Sequence, residues 1–197
     1  MIATEADPTP LVLSLARTLR ASVRVPELRD LVAQTNGEVA LKSVTDAQAA
    51  TLTFDGTGVH VRHGVAFGVE PVELHFDPEY TVGETADPVG QAAAKLLTPP
   101  LPEWREAAAN FWAVNRGTPG FPGRLVVVCW DEEAQEVLGD GDDSYEIHGY
   151  GPALAAVLSG QVDSFLIAVA LGLVSGVGSA AQSSVMCGAH WKVRFGG

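Results

Sequence analysis

Four stretches of the 197-residue chain carry residue types that could do chemistry. GVGSAA at 176–181 has the glycine pattern of a dinucleotide-binding turn. That turn works only inside a βαβ unit, with an acidic residue about 20 positions further on for the ribose. Only 16 residues follow Ala181, and none is Asp or Glu. A strand-to-helix turn of small residues is the better reading. His60 and His63 (HVRH) suggest metal, but residues three apart on a strand point to opposite faces and share an ion poorly. Cys187 and His190 raise a thiol–imidazole pair; nucleophilic catalysis also needs a positioned base and an oxyanion site, and sequence adjacency supplies neither. The acidic stretch DEEAQEVLGDGDD (131–143) lacks the spacing of a calcium loop. No GxSxG, HExxH or Walker A motif occurs. The expectation is therefore no catalytic residue, no metal, no cofactor and no enzyme.

The elements that would position these residues follow from periodicity. Leucines at 11, 15 and 19 predict an amphipathic helix over 10–20, and Pro26 opens a second helix closed by Asn36-Gly37. Residues 38–44 read as a strand. Residues 50–64 read as a hairpin turning at Asp55-Gly56, because apolar and polar residues alternate on both arms. Residues 72–76 are another short strand. From 77 to 123 Pro and Gly surround two helical pieces, 88–97 and 102–115. Too few apolar residues lie there for a separate core, so the segment reads as an insertion over a sheet. On its second helix Trp104, Ala108, Phe111 and Trp112 share a face. That face either packs on the sheet or roofs an apolar cavity. Strands are expected at 125–131 and 144–149, joined by a solvated acidic connection (132–143). Helices are expected at 151–160, at 164–171 with Asp163 as N-cap and Gly172 just past its end, and at 179–188. LVSGVG is a short strand, and WKVRFGG closes the chain. No internal repeat is visible.

These elements predict an α+β fold: an antiparallel sheet with helices packed against one side. The expected organisation is an N-terminal helical extension (1–25) and one domain (26–197) carrying an insertion at about 77–124. The formal net charge of −12 repels phosphate backbones and anionic membrane surfaces, so no nucleic-acid partner is expected. Three lysines against nine arginines, with much Ala, Gly and Val, suggest a GC-rich bacterial origin. Two cysteines make no disulfide framework, and the N-terminus lacks the basic and apolar regions of a signal peptide, so a cytoplasmic location is expected.

The segment DSFLIAVALGLV (163–174) stands apart, with an uncharged apolar run from Phe165 to Val174. A spanning helix needs about 20 apolar residues, so no transmembrane segment is expected. A short helix that is apolar all round is either buried on every side or faces something apolar. Together with ALAAVL before it, this helix could enclose a pocket over a sheet.

Over residues 144–187 the chain resembles the C-terminal half of the sterol carrier protein type 2 family. The resemblance rests on Leu158, Gly160 and Asp163 in an LxGxxD turn between two apolar helices, then Gly172, Val174 and Gly176 to Gly178. It is only permissive over 30–76. It implies a five-stranded, mainly antiparallel sheet with helices around an apolar tunnel. It also implies non-enzymatic binding of a fatty acid, acyl-CoA, sterol or phospholipid, without a cofactor. The implied lining is Leu154, Val157, Leu158, Phe165, Leu166 and Val169; where the face of the inserted helix roofs the cavity, Trp104, Phe111 and Trp112 join it, and Lys192, Arg194 or Arg105 would meet an anionic head group. The alternative is a protein–protein interaction domain that keeps the fold with its cavity filled by those three aromatic residues.

Overall fold

A computed structural model describes residues 1–76, 80–162 and 164–195. The chain forms two compact units, Met1–Pro100 and Leu101–Gly197.

The first unit opens with a strand that periodicity did not reveal, β1 (Ile2–Thr4), followed by α1 (Pro10–Ser22) and α2 (Pro26–Gln34). Thr9 caps α1 by accepting the Val12 N–H at 3.4 Å, and Pro10 occupies the first turn, where its missing N–H costs nothing. Asn36 and Gly37 do not close α2; they begin β2 (Asn36–Ser43). The hairpin β3 (Ala49–Asp55) and β4 (Val59–His63) turns as expected, with the Asp55 carboxylate accepting the N–H groups of Thr57 and Gly58 at 2.8 Å each. Then come β5 (Pro71–Phe76), β6 (Tyr80–Val82) and α3 (Pro88–Leu96).

The six strands lie in the order β1-β4-β3-β2-β5-β6. Two of the pairings are parallel, β1 with β4 and β2 with β5, so the sheet is mixed and not mainly antiparallel. Val39, Leu41, Leu52, Phe54, Val59 and Val61 join Val12, Leu15, Ala16 and Leu19 of α1 in one buried cluster. The N-terminal 25 residues thus supply a strand and a core helix to this unit. Ser22 Oγ donates to the Leu96 carbonyl, and the Tyr80 hydroxyl bonds Ser14 Oγ at 2.6 Å, tying the helices and β6 together.

The second unit begins with α4 (Trp104–Asn115), then β7 (Arg124–Cys129), β8 (Ala134–Leu138) and β9 (Ser144–Gly149). α5 (Gly151–Leu158), α6 (Phe165–Ala170), β10 (Val174–Val177) and α7 (Ala180–Phe195) complete it. Its sheet runs β10-β9-β7-β8 and is again mixed, with β7 and β9 parallel. Two expectations change here. The acidic connection contains the edge strand β8, because Ala134, Glu136 and Leu138 alternate with more exposed neighbours against β7. WKVRF belongs to α7, which continues to Phe195.

One five-stranded sheet is therefore replaced by two sheets of six and four strands. The stretch 77–124 is divided between them: it supplies β6 and α3 to the first unit and α4 to the second. The α+β class holds. The two sheets also share a pattern that no sequence repeat announced. In each, a first strand pairs antiparallel with the second and parallel with a later one, which pairs antiparallel with the next: β3-β2-β5-β6 and β8-β7-β9-β10. The first unit adds β4 and β1 beyond β3; the second inserts α5 and α6 before its last strand.

Candidate functional site

The residues singled out by sequence converge on the second unit. α5 starts where β9 ends, and the Gly151 N–H donates to Asp131 Oδ1 at 2.8 Å. The Cys129 thiol donates to the same oxygen at 3.0 Å. The Cys129 and Gly151 bonds hold the Asp131 carboxyl below its ordinary range. Burial pushes the Cys129 thiol up, so it is a structural hydrogen-bond donor and a poor nucleophile.

Linkage gives a sign to this arrangement. A carboxylate with a lowered folded-state pKa stabilises the native state above its unfolded pKa and loses that contribution as pH falls through the folded value. Thermal melts of the second unit should therefore fall on acidification below the ordinary value of 3.8. In Asp131→Asn that part of the slope should flatten. An unchanged slope would show that Asp131 is not coupled to folding.

Leu154, Val157 and Leu158 have no exposed surface, and Phe165 is 2% exposed. They share one core with Trp104, Phe111, Tyr145, Ile147 and Met186. Trp112 and Val169 pack against its edge, and Trp112 lies 5.6 Å from Phe121 between ring centroids. A void able to admit water would leave exposed area on the side chains around it. The side chains of Leu154, Val157 and Leu158 are in contact all round. The interior at these residues is closed, and Trp104 and Phe111 are part of the filling.

Leu166 behaves differently. α6 is short, capped by Ser164 Oγ, which accepts the Ile167 N–H at 3.1 Å, and it ends before Gly172 at φ +70°. Asp163, the expected cap, lies outside the described residues. Phe165 and Ala168 face the core, whereas Leu166 is 65% exposed, Ile167 41% and Leu171 57%. The helix is apolar all round, but one face is core and the other meets solvent. Its composition signalled an apolar face; which residues carry it depends on the rotation of the helix over β10 and α7, which composition does not specify.

The glycines of GVGSAA serve packing. A Cβ on Gly176 would come within 2.2 Å of the Tyr145 hydroxyl oxygen, and one on Gly178 within 2.3 Å of the ring. β10 and the turn after it form the seat of Tyr145, whose hydroxyl bonds Ser183 Oγ at 3.1 Å. The three cations are committed within the unit. Arg105 pairs with Glu132 at 2.7 Å and lies over the Trp104 ring, and Lys192 Nζ donates to the Val114 carbonyl at 2.8 Å. Arg194 donates to the carbonyls of Gly160 and Val162. His60 and His63 sit exposed on β4, and Cys187 is half-buried. Among the described residues no cluster of three or more His, Cys, Asp or Glu is placed to hold a metal ion.

No family model, curated protein or solved structure matches this chain. The assignment therefore rests on residues and geometry. Among the described residues, no helix is long and apolar enough to cross a membrane. Sequence reasoning missed Ile167 and Leu171 as surface residues. It also passed over Trp130 and Tyr150, one residue beyond the ends of β7 and β9, whose only signal was an aromatic residue next to an acid or a glycine.

Proposed function

We propose that the protein is a non-enzymatic binder of an apolar ligand of the lipid class, as its resemblance to sterol carrier protein type 2 over residues 144–187 implies, and that the second unit receives the ligand at α6. The observation that carries this reading is the outward face of α6. Leu166, Ile167 and Leu171 expose three large aliphatic side chains on one short helix and its C-cap, in a chain of net charge −12. Burying such a face gains about 25 cal/mol per Å² removed from water. Support also comes from the LxGxxD sequence between α5 and α6 and from the apolar residues of α5, which share one core cluster with Phe165. With the interior closed, the acyl chain lies along this outward face of α6.

A second reading is favoured by the filled interior. With Trp104 and Phe111 occupying the space between sheet and helices, the same face of α6 would dock a protein partner and no ligand would enter. Native mass spectrometry of the fresh protein, followed by solvent extraction, separates the two. The expected result is a fatty acid or phospholipid at about one per chain, displaced by a fluorescent fatty acid. A clean apo mass with no uptake of the fluorescent acid would overturn the lipid reading and leave the protein-docking one.

A further inference from the structure

We propose that Trp130 and Tyr150 form a two-walled aromatic corner that receives a quaternary ammonium group. The rings meet nearly edge to face, with centroids 5.3 Å apart and planes at 84°. Both are open to solvent, Trp130 at 42% and Tyr150 at 58% exposure. Their place follows from the sheet. β7 and β9 run parallel with Cys129 opposite Gly149, so Trp130 and Tyr150 are the first residues beyond two paired strands. Hydrogen bonds on either side pin the two segments. The Trp130 N–H donates to the Gly149 carbonyl at 2.9 Å, and the Gly151 N–H donates to Asp131 Oδ1 at 2.8 Å. The backbone that carries the rings is thus fixed before any ligand arrives, which removes part of the ordering cost of binding.

The charge beside the corner is negative. Trp130 opens a four-residue turn whose other members are Asp131, Glu132 and Glu133. The Cys129 and Gly151 bonds hold Asp131 ionised, and the Arg105 and Trp104 bonds do the same for Glu132. Arg105 offsets one of these three charges by its pairing with Glu132. Anions are disfavoured there. A primary ammonium is a compact, strongly hydrated charge and gives up its water reluctantly. A trimethylammonium group keeps the charge, spreads it over methyl groups, and fills a right-angled aromatic corner through cation–π attraction. The class is therefore a choline-like cation, either free or as a lipid head group. This inference is independent of the reading of α6.

The test is titration of the intact protein with choline chloride, followed by the indole N–H resonances of its four tryptophans. The Trp130 signal is assigned by its disappearance in Trp130→Phe. It should shift saturably, with a dissociation constant on the order of 1 mM, as expected for a partly solvated cation–π contact. Tyr150→Ala should weaken binding at least tenfold, and Tyr150→Phe, which keeps the ring, should retain it. The neutral isostere 3,3-dimethylbutan-1-ol should bind at least tenfold more weakly. An equal response to the isostere, a non-saturating response matched by sodium chloride, or unchanged affinity in Tyr150→Ala would overturn the proposal. Phosphatidylcholine vesicles distinguish the source once choline binds. Co-sedimentation that choline competes away assigns a lipid head group; protein left in the supernatant assigns a free small molecule.

Discussion

Replacing Gly160 by alanine should cost the second unit about 3 kcal/mol or more, the sum of backbone strain and a forced displacement of α7. Gly160 has φ +70°, where an L side chain is strained. Its added Cβ would also lie 2.9 Å from Arg194 Cα and 3.0 Å from Arg194 N, both backbone atoms of α7. Neither can rotate away. Moving α7 would stretch the bonds from Arg194 to the carbonyls of Gly160 (3.2 Å) and Val162 (2.8 Å), which satisfy buried acceptors. Urea unfolding followed by tryptophan fluorescence gives the cost. Gly160→Asn separates the causes, because asparagine tolerates the left-handed region but keeps the clash. It should recover about 1 kcal/mol and no more. A stable Gly160→Ala protein would mean that α7 does not pack on this turn. The glycine of the LxGxxD turn would then need another explanation.

Phe165→Asp and Leu166→Asp should part company completely, although the residues are neighbours on one short helix. Phe165 is 2% exposed and lies 6.4 Å from Tyr145 between ring centroids. An aspartate there removes a buried ring and inserts an unpartnered carboxylate, costing at least about 4 kcal/mol. The second unit should lose its cooperative transition, by circular dichroism and by thermal melt. Loss of ligand uptake in this variant would therefore report unfolding. Leu166 is 65% exposed, so Leu166→Asp should change stability by no more than about 0.5 kcal/mol. It places a charge on the face proposed to receive the apolar ligand, and uptake of a fluorescent fatty acid should fall at least tenfold. Full uptake by a folded Leu166→Asp protein would remove α6 from the site.

Local signals in the chain identified most elements. The leucine spacing of 10–20, the alternation across Asp55-Gly56 and the glycines after 158 and 171 all act over a few residues, and the helices and hairpin formed there as read. The apolar character of α5 and α6 was legible for the same reason. What the sequence by itself determined was the α+β class, the boundaries of most helices and of the hairpin to within a few residues, with α7 running seven residues further than read, and the absence of the contexts that dinucleotide or calcium motifs require. Tertiary structure decided the rest. β1 and β6 are three residues each, too short for any period, and exist because β4 and β5 offer them unpaired edges. The three parallel pairings, β1 with β4, β2 with β5 and β7 with β9, join strands far apart in the chain, so neither the two-sheet division nor their shared strand order leaves a local trace. The outward turn of Leu166, and the meeting of Trp130 with Tyr150 across 20 residues, depend on how packed elements rotate and register. Those are set by the sum of long-range contacts, which no short stretch of sequence contains.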